Sequence, residues 1–149
     1  AEFDTQKGNE FLLKQITDKK VPDSAKLMAA EALLKTGNNS GTKEIAELAK
    51  EIVDDPARKS LKYALGKNMA KYMKPAFADA AVIYIQSKDS QLVAIGLDMY
   101  KAGRYETVKS AVKTLAEDKK NSANRKRARK LLGMEDEEFE EKDSSADAK

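Results

Sequence analysis

Apolar residues along this chain recur at intervals of three and four rather than in alternation, and they gather into eight stretches. That spacing predicts amphipathic helices and no strand. The first stretch covers residues 5–19, with Phe11, Leu12 and Ile16 on one stripe. Pro22 breaks the chain, and Asp23 is placed to cap a second helix that ends at Gly37 and the turn-rich run Asn38-Asn39-Ser40-Gly41. The third, residues 42–53, sets Ile45, Leu48, Ala49 and Ile52 at the i, i+3, i+4, i+7 positions of a buried face. Asp55-Pro56 opens the fourth, because Asp caps well and Pro fits the first helical position; Pro75 stops it. The fifth, PAFADAAVIYIQS, is apolar around most of its circumference, with Asp79 and Gln86 as interruptions, so it is expected to be buried on several sides. The remaining helices are read at residues 90–102, 105–117 and 122–132, with Gly103 closing the first of these and Gly133 the last.

One phrase organises these stretches. A capping residue opens a helix at Asp23, Asp55, Asp89 and Asn121, and an apolar residue follows ten positions later at Leu33, Leu65, Met99 and Leu131. A period in this range marks stacked helical repeats. Short connections make consecutive helices antiparallel, and no single pair can bury its apolar faces alone. The expected architecture is all-α: a right-handed α-solenoid of about eight helices in four antiparallel hairpins, spanning residues 1–133. A flexible, disordered acidic tail is expected over residues 134–149.

Composition narrows the chemistry. Charged residues make up 36% of the chain and there is neither Cys nor His. Disulfides, thiolate nucleophiles, imidazole catalysis and Cys- or His-based zinc sites are therefore excluded. No apolar stretch approaches a membrane span. No Gly-rich phosphate loop is present, since Gly37 and Gly41 flank a simple turn, and Asp79 near the start of its helix is explained by the helix dipole. The chain is read as non-catalytic, with no cofactor and no metal. Its start at Ala1 favours an exported, periplasmic or secreted, origin over a cytoplasmic one, unless Ala1-Glu2-Phe3 is a cloning remnant.

The phrases DSAKLMAAEALLKTGN and DPARKSLKYALGKN resemble the second helix of HEAT-like repeats, with Ala32-Leu33 and Ala64-Leu65-Gly66 carrying the match over roughly the first half of the chain. A second stretch, from Ile95 to Leu115 with Gly96, Tyr100, Gly103, Tyr105 and the Val108–Val112–Leu115 stripe, is similar to a tetratricopeptide repeat, although the helix at residues 76–87 is out of register with it. The HEAT-like resemblance is preferred. Both imply a solenoid of helical hairpins whose role is protein–protein interaction or scaffolding, and neither supplies catalytic residues.

Candidate contact residues come from charge and from one tyrosine. Arg125, Lys126, Arg127, Arg129 and Lys130 spread over about 200° of the last helix, opposite Asn124, Ala128, Leu131 and Leu132. They suit nucleic acid, an anionic membrane surface or an acidic partner, or else form the solvated cap of a terminal repeat. Residues 135–149 hold eight acidic side chains against Lys142 and Lys149, while the whole chain carries a net charge of +3, so a strongly basic body precedes an acidic segment. That segment either solubilises the chain or folds back over the basic helix. Tyr63 lies off the apolar side of its helix and is a candidate partner contact, or packs on the next repeat; Tyr72 and Tyr84 are expected in the core with hydroxyls reaching solvent. The reading is a protein-binding module, the alternative being electrostatic binding of nucleic acid or an anionic membrane through the last helix.

Overall fold

The computed structural model of the chain describes residues 2–37 and 39–134, with side chains from residue 6 onward. The acidic segment 135–149 lies outside the described residues. Within them the protein is all-helical and has no strand. Its elements are α1 (Glu2–Thr17), α2 (Asp23–Lys35), α3 (Thr42–Ile52), α4 (Lys59–Lys71), α5 (Ala78–Ile85), α6 (Ser90–Gly103), α7 (Glu106–Ala116) and α8 (Ser122–Leu131). Short 3-10 turns, Pro56–Arg58 and Pro75–Phe77, precede α4 and α5. Both begin with Pro, whose fixed φ suits a helix start.

Contacts between helices follow a regular order. Even-numbered helices meet in sequence, α2 on α4, α4 on α6 and α6 on α8; odd-numbered helices do the same, α1 on α3, α3 on α5 and α5 on α7. Each odd helix also packs on the even helix that follows it. The apolar faces between the two series form one continuous core running from Ile16 to Ala128. It is closely packed where α4, α5 and α6 converge. A Cβ on Gly66 would fall against the Tyr84 ring and the Ile95 side chain, and one on Gly96 would stand 2.7 Å from Ile85 Cγ1 and 2.9 Å from its backbone nitrogen. Glycine at these positions lets the helices approach closely. As the apolar sequence of α5 requires, Ala78, Ala80, Ala81, Tyr84 and Ile85 are all buried.

Several expectations change. Phe11 is 63% exposed rather than on the buried stripe. It stands about 140° from Ile16 around the helix, whereas Leu12 is only about 40° away, and Leu12, Leu13 and Ile16 make the contacts with the core. Pro22, not Asp23, occupies the cap position of α2. Asp23 becomes the first helical residue and turns its carboxylate to Arg58. Asn121 does sit at the cap of α8 but makes no capping bond; its Oδ1 accepts from Asn124 Nδ2 at 3.3 Å. Asp55 and Asp89 cap as expected, through Ala57 N–H and Gln91 N–H, each at 2.9 Å. Tyr84 is fully buried, and its hydroxyl donates to the Lys62 carbonyl at 2.6 Å rather than reaching solvent. Burial pushes that phenol's pKa well up.

Candidate functional site

Two lysines are buried in the core, and both do the same job. Lys26 Nζ donates to the carbonyls of Ile16 (2.9 Å) and Asp18 (2.7 Å), at the end of α1. Lys62 Nζ donates to the carbonyls of Val53 (2.8 Å) and Asp55 (3.0 Å), just past α3. The last carbonyls of a helix have no intrahelical donor, and an ammonium also complements the negative end of the helix dipole. Burial lowers the Lys26 pKa, the Arg58 guanidinium lowers it further, and Asp18, Asp23 and Glu51 pull the other way. The two lysines are 36 residues apart, whereas the phrases that contain them start 32 apart. The difference is one helical turn, taken up by the 3-10 segment Pro56–Arg58 ahead of α4.

Polar side chains fasten the even helices to one another. Arg58, at the start of α4, grips Asp23 of α2 with Nε at 3.1 Å and 3.0 Å from the two carboxylate oxygens and Nη2 at 2.8 Å. Asn68 of α4 donates to Glu31 of α2 at 3.3 Å. Tyr63 of α4 donates its hydroxyl to Asp89 at the head of α6, at 2.5 Å. Arg127 of α8 pairs with Asp98 of α6 and donates to the Ala94 carbonyl at 3.2 Å. Asn124, also on α8, donates to the Ser90 carbonyl at 3.1 Å. The carboxylates of α2 and Asp98 of α6 are thus engaged by the even helix that follows, and the Asp89 cap by the even helix that precedes it.

These links decide where the candidate residues stand. Tyr63 is half-buried at the joint of α4 and α6, with the Lys59 amine 5.9 Å from its ring centroid. Its hydrogen bond to Asp89, with some burial, raises its pKa to about 12. Burial pushes the Asp89 carboxyl up, but bonds from Tyr63 and from the Gln91 and Leu92 N–H groups, with Lys59 nearby, outweigh this and hold it below the usual value. Arg127 is half-buried and reaches across to α6. Arg125 and Arg129 are half-buried, while Lys126 and Lys130 are exposed. The structure therefore divides the basic set of the last helix between a joint and an outer surface.

Exposed lysines elsewhere on the even helices were not singled out by charge density alone. α4 exposes Lys59, Lys67 and Lys71, and α6 exposes Lys101. Among the described residues, none of these lysines, nor Lys126 or Lys130, forms an ion pair. The odd helices differ: α3 exposes Lys43, Glu47 and Glu51 together, and Lys50 pairs with Glu47 at 3.4 Å. A half-open cleft of about 360 Å³ lies between the end of α1, α3 and Arg58. Two of its cations, Lys26 and Arg58, are already occupied by the bonds above. Among the described residues no group of three or more acidic, Cys or His side chains is placed to hold a metal, and no helix is long and apolar enough to cross a membrane.

Comparison with known proteins adds no relative. No family model matches the chain. Neither the curated proteins nor the solved structures contain a match to it.

Proposed function

We propose that this chain is a non-catalytic protein-binding module, a small right-handed α-solenoid of helical hairpins that holds a partner along its stacked helices. The observation that supports this reading best is the order of contacts, even helix on even helix and odd on odd. Stacked hairpins produce that order, and they present extended faces suited to a partner. The HEAT-like resemblance of the α2 and α4 phrases agrees with it, and the tetratricopeptide-like stretch across α6 and α7 remains the second description of the packing. The test is crosslinking of the full chain in its native source followed by recovery of bound proteins. Reproducible recovery of one protein through helix-surface positions is expected; recovery of none would contradict the reading.

A second reading keeps one observation in its favour. Lys126 and Lys130 project from α8 without ion pairs among the described residues, which suits loose contact with nucleic acid or an anionic membrane. Arg127 contributes less to such a surface, because Asp98 and the Ala94 carbonyl already hold it. Steep loss of heparin binding with salt would favour this second reading, and absence of heparin binding would remove it.

A further inference from the structure

The even helices carry their charge in an ordered way. Each of α4 and α6 is covered on two flanks by its even neighbours and beneath by the odd helices. One arc of each is left for solvent. On α4 that arc holds Ser60, Lys67 and Lys71; on α6 the exposed residues include Gln91, Asp98, Lys101 and Ala102, with Asp98 paired to Arg127; on the terminal helix α8 they include Ala123, Lys126 and Lys130. Lys67 and Lys71, like Lys126 and Lys130, are one turn apart and so lie on one face. Lys101 of α6 is exposed between them. The carboxylates that would balance these amines are spent elsewhere: Asp23 on Arg58, Glu31 on Asn68, Asp89 on Tyr63 and Asp98 on Arg127. The surface is basic because its acids close the joints.

We propose that this outward face of α4, α6 and α8, anchored by Lys67, Lys71, Lys101, Lys126 and Lys130, docks an acidic segment of another protein. The proposal rests on the reading of the chain as a protein-binding module and names its face and partner chemistry. Charge complementarity sets the occupant, since opposed potentials steer and align a partner. The mixed charges exposed on α3 offer no such preference. An acidic protein fits better than nucleic acid. The guanidinium forks of Arg58 and Arg127, of the kind that recognise phosphate bidentately, are already engaged by Asp23 and Asp98. Of the aromatics beside the face, Tyr63 is half-buried and bonded to Asp89, and Tyr72 is half-buried with the Lys71 amine 5.4 Å from its ring centroid, so neither ring stands free to stack on a base.

The test uses the full chain and a fluorescein-labelled oligoglutamate peptide, followed by anisotropy against salt. Lys67→Glu with Lys71→Glu, and separately Lys126→Glu with Lys130→Glu, are each expected to weaken binding about tenfold or more, with the melting midpoint unmoved. Lys43→Glu with Lys113→Glu, on α3 and α7, makes the same change in net charge and is expected to weaken binding less than about twofold. Equal losses in all three proteins would overturn the proposal, because net charge alone would then explain binding. Duplex DNA that bound more tightly than the peptide and responded to the same variants would also overturn it. Should a charge-reversed protein melt early, Lys→Gln at the same positions gives the same comparison without repulsion. A native partner crosslinked only through α3 and α7, with no peptide binding, would overturn this proposal and leave the module reading standing; no protein crosslinked from either face would overturn both.

Discussion

The odd and even helices meet their neighbours in the same order but are held by different forces. Among the described residues no side-chain hydrogen bond joins one odd helix to another, and apolar residues such as Ile45, Phe77 and Val108 make the core on that side. The even helices share the apolar core and add a polar link at every joint, from Arg58–Asp23 through Tyr63–Asp89 to Arg127–Asp98. The way a joint is fastened thereby sets what its outer surface offers. Joints closed by apolar contact leave charges of both signs outside, as on α3. Joints closed with carboxylates leave lysine behind.

The largest effect should come from the buried amines that close the odd helices. Lys62→Met leaves the Val53 and Asp55 carbonyls without their charged donor, and such bonds are worth about 1.5–3 kcal/mol each. A loss of about 2–3 kcal/mol is expected in denaturant unfolding. Lys67→Met, five residues further on and exposed, should stay within about 0.5 kcal/mol of the parent. If the two variants lost equal stability, the division of lysines into buried and outward classes would fail.

Tyr84→Phe comes next. It removes the hydroxyl donated to the Lys62 carbonyl in a fully buried setting, for an expected loss of about 1 kcal/mol. Smaller still are the even joints. Arg58→Ala and Arg127→Ala break partly exposed pairs, each worth about 0–1 kcal/mol and weaker in salt. The two joints share no residue, so the double variant should be additive within about 0.5 kcal/mol.

The helices themselves were legible in the sequence, because apolar spacing and Pro or Gly boundaries are local signals. Asp55 and Asp89 cap where the pattern places them. Less legible was anything that depends on a second helix. Asp23 looks like a cap until Arg58, 35 residues away, is brought beside it. Tyr84 looks like a snorkelling phenol until the Lys62 carbonyl appears above it. The sequence does carry a signal for the buried amines: Lys62 stands at i−3 and i−7 from Leu65 and Met69, and Lys26 likewise from Ala29 and Leu33, so both lysines occupy apolar-stripe positions. A lysine there must either spoil the stripe or find carbonyls to bond. In the last helix, charge density alone hid the difference between Arg127, held at a joint, and Lys126 and Lys130, which are exposed.

The slightest effect is a titration at the middle even joint. Tyr63 has its pKa raised from 10.0 to about 12, so the bond's contribution to stability is complete below pH 10 and lost as pH rises through about 12. Asp89 has its pKa lowered from 3.8, so its contribution is present above that value and fades as pH falls through the folded one. The difference in tyrosinate absorbance between the parent and Tyr63→Phe should therefore rise near pH 12. A rise near pH 10 would mean that the Tyr63–Asp89 bond is not made in solution.

Residue-by-residue acylation of lysines in the native full chain, read by mass spectrometry, tests the central division most directly. Lys26 and Lys62 should react far more slowly than Lys67, Lys71, Lys101, Lys126 and Lys130. Burial lowers the Lys26 pKa, which by itself favours acylation, so slow labelling there would report its burial and its bonds to the Ile16 and Asp18 carbonyls. Labelling of Lys26 and Lys62 at the rate of Lys67 and Lys71 would contradict the account.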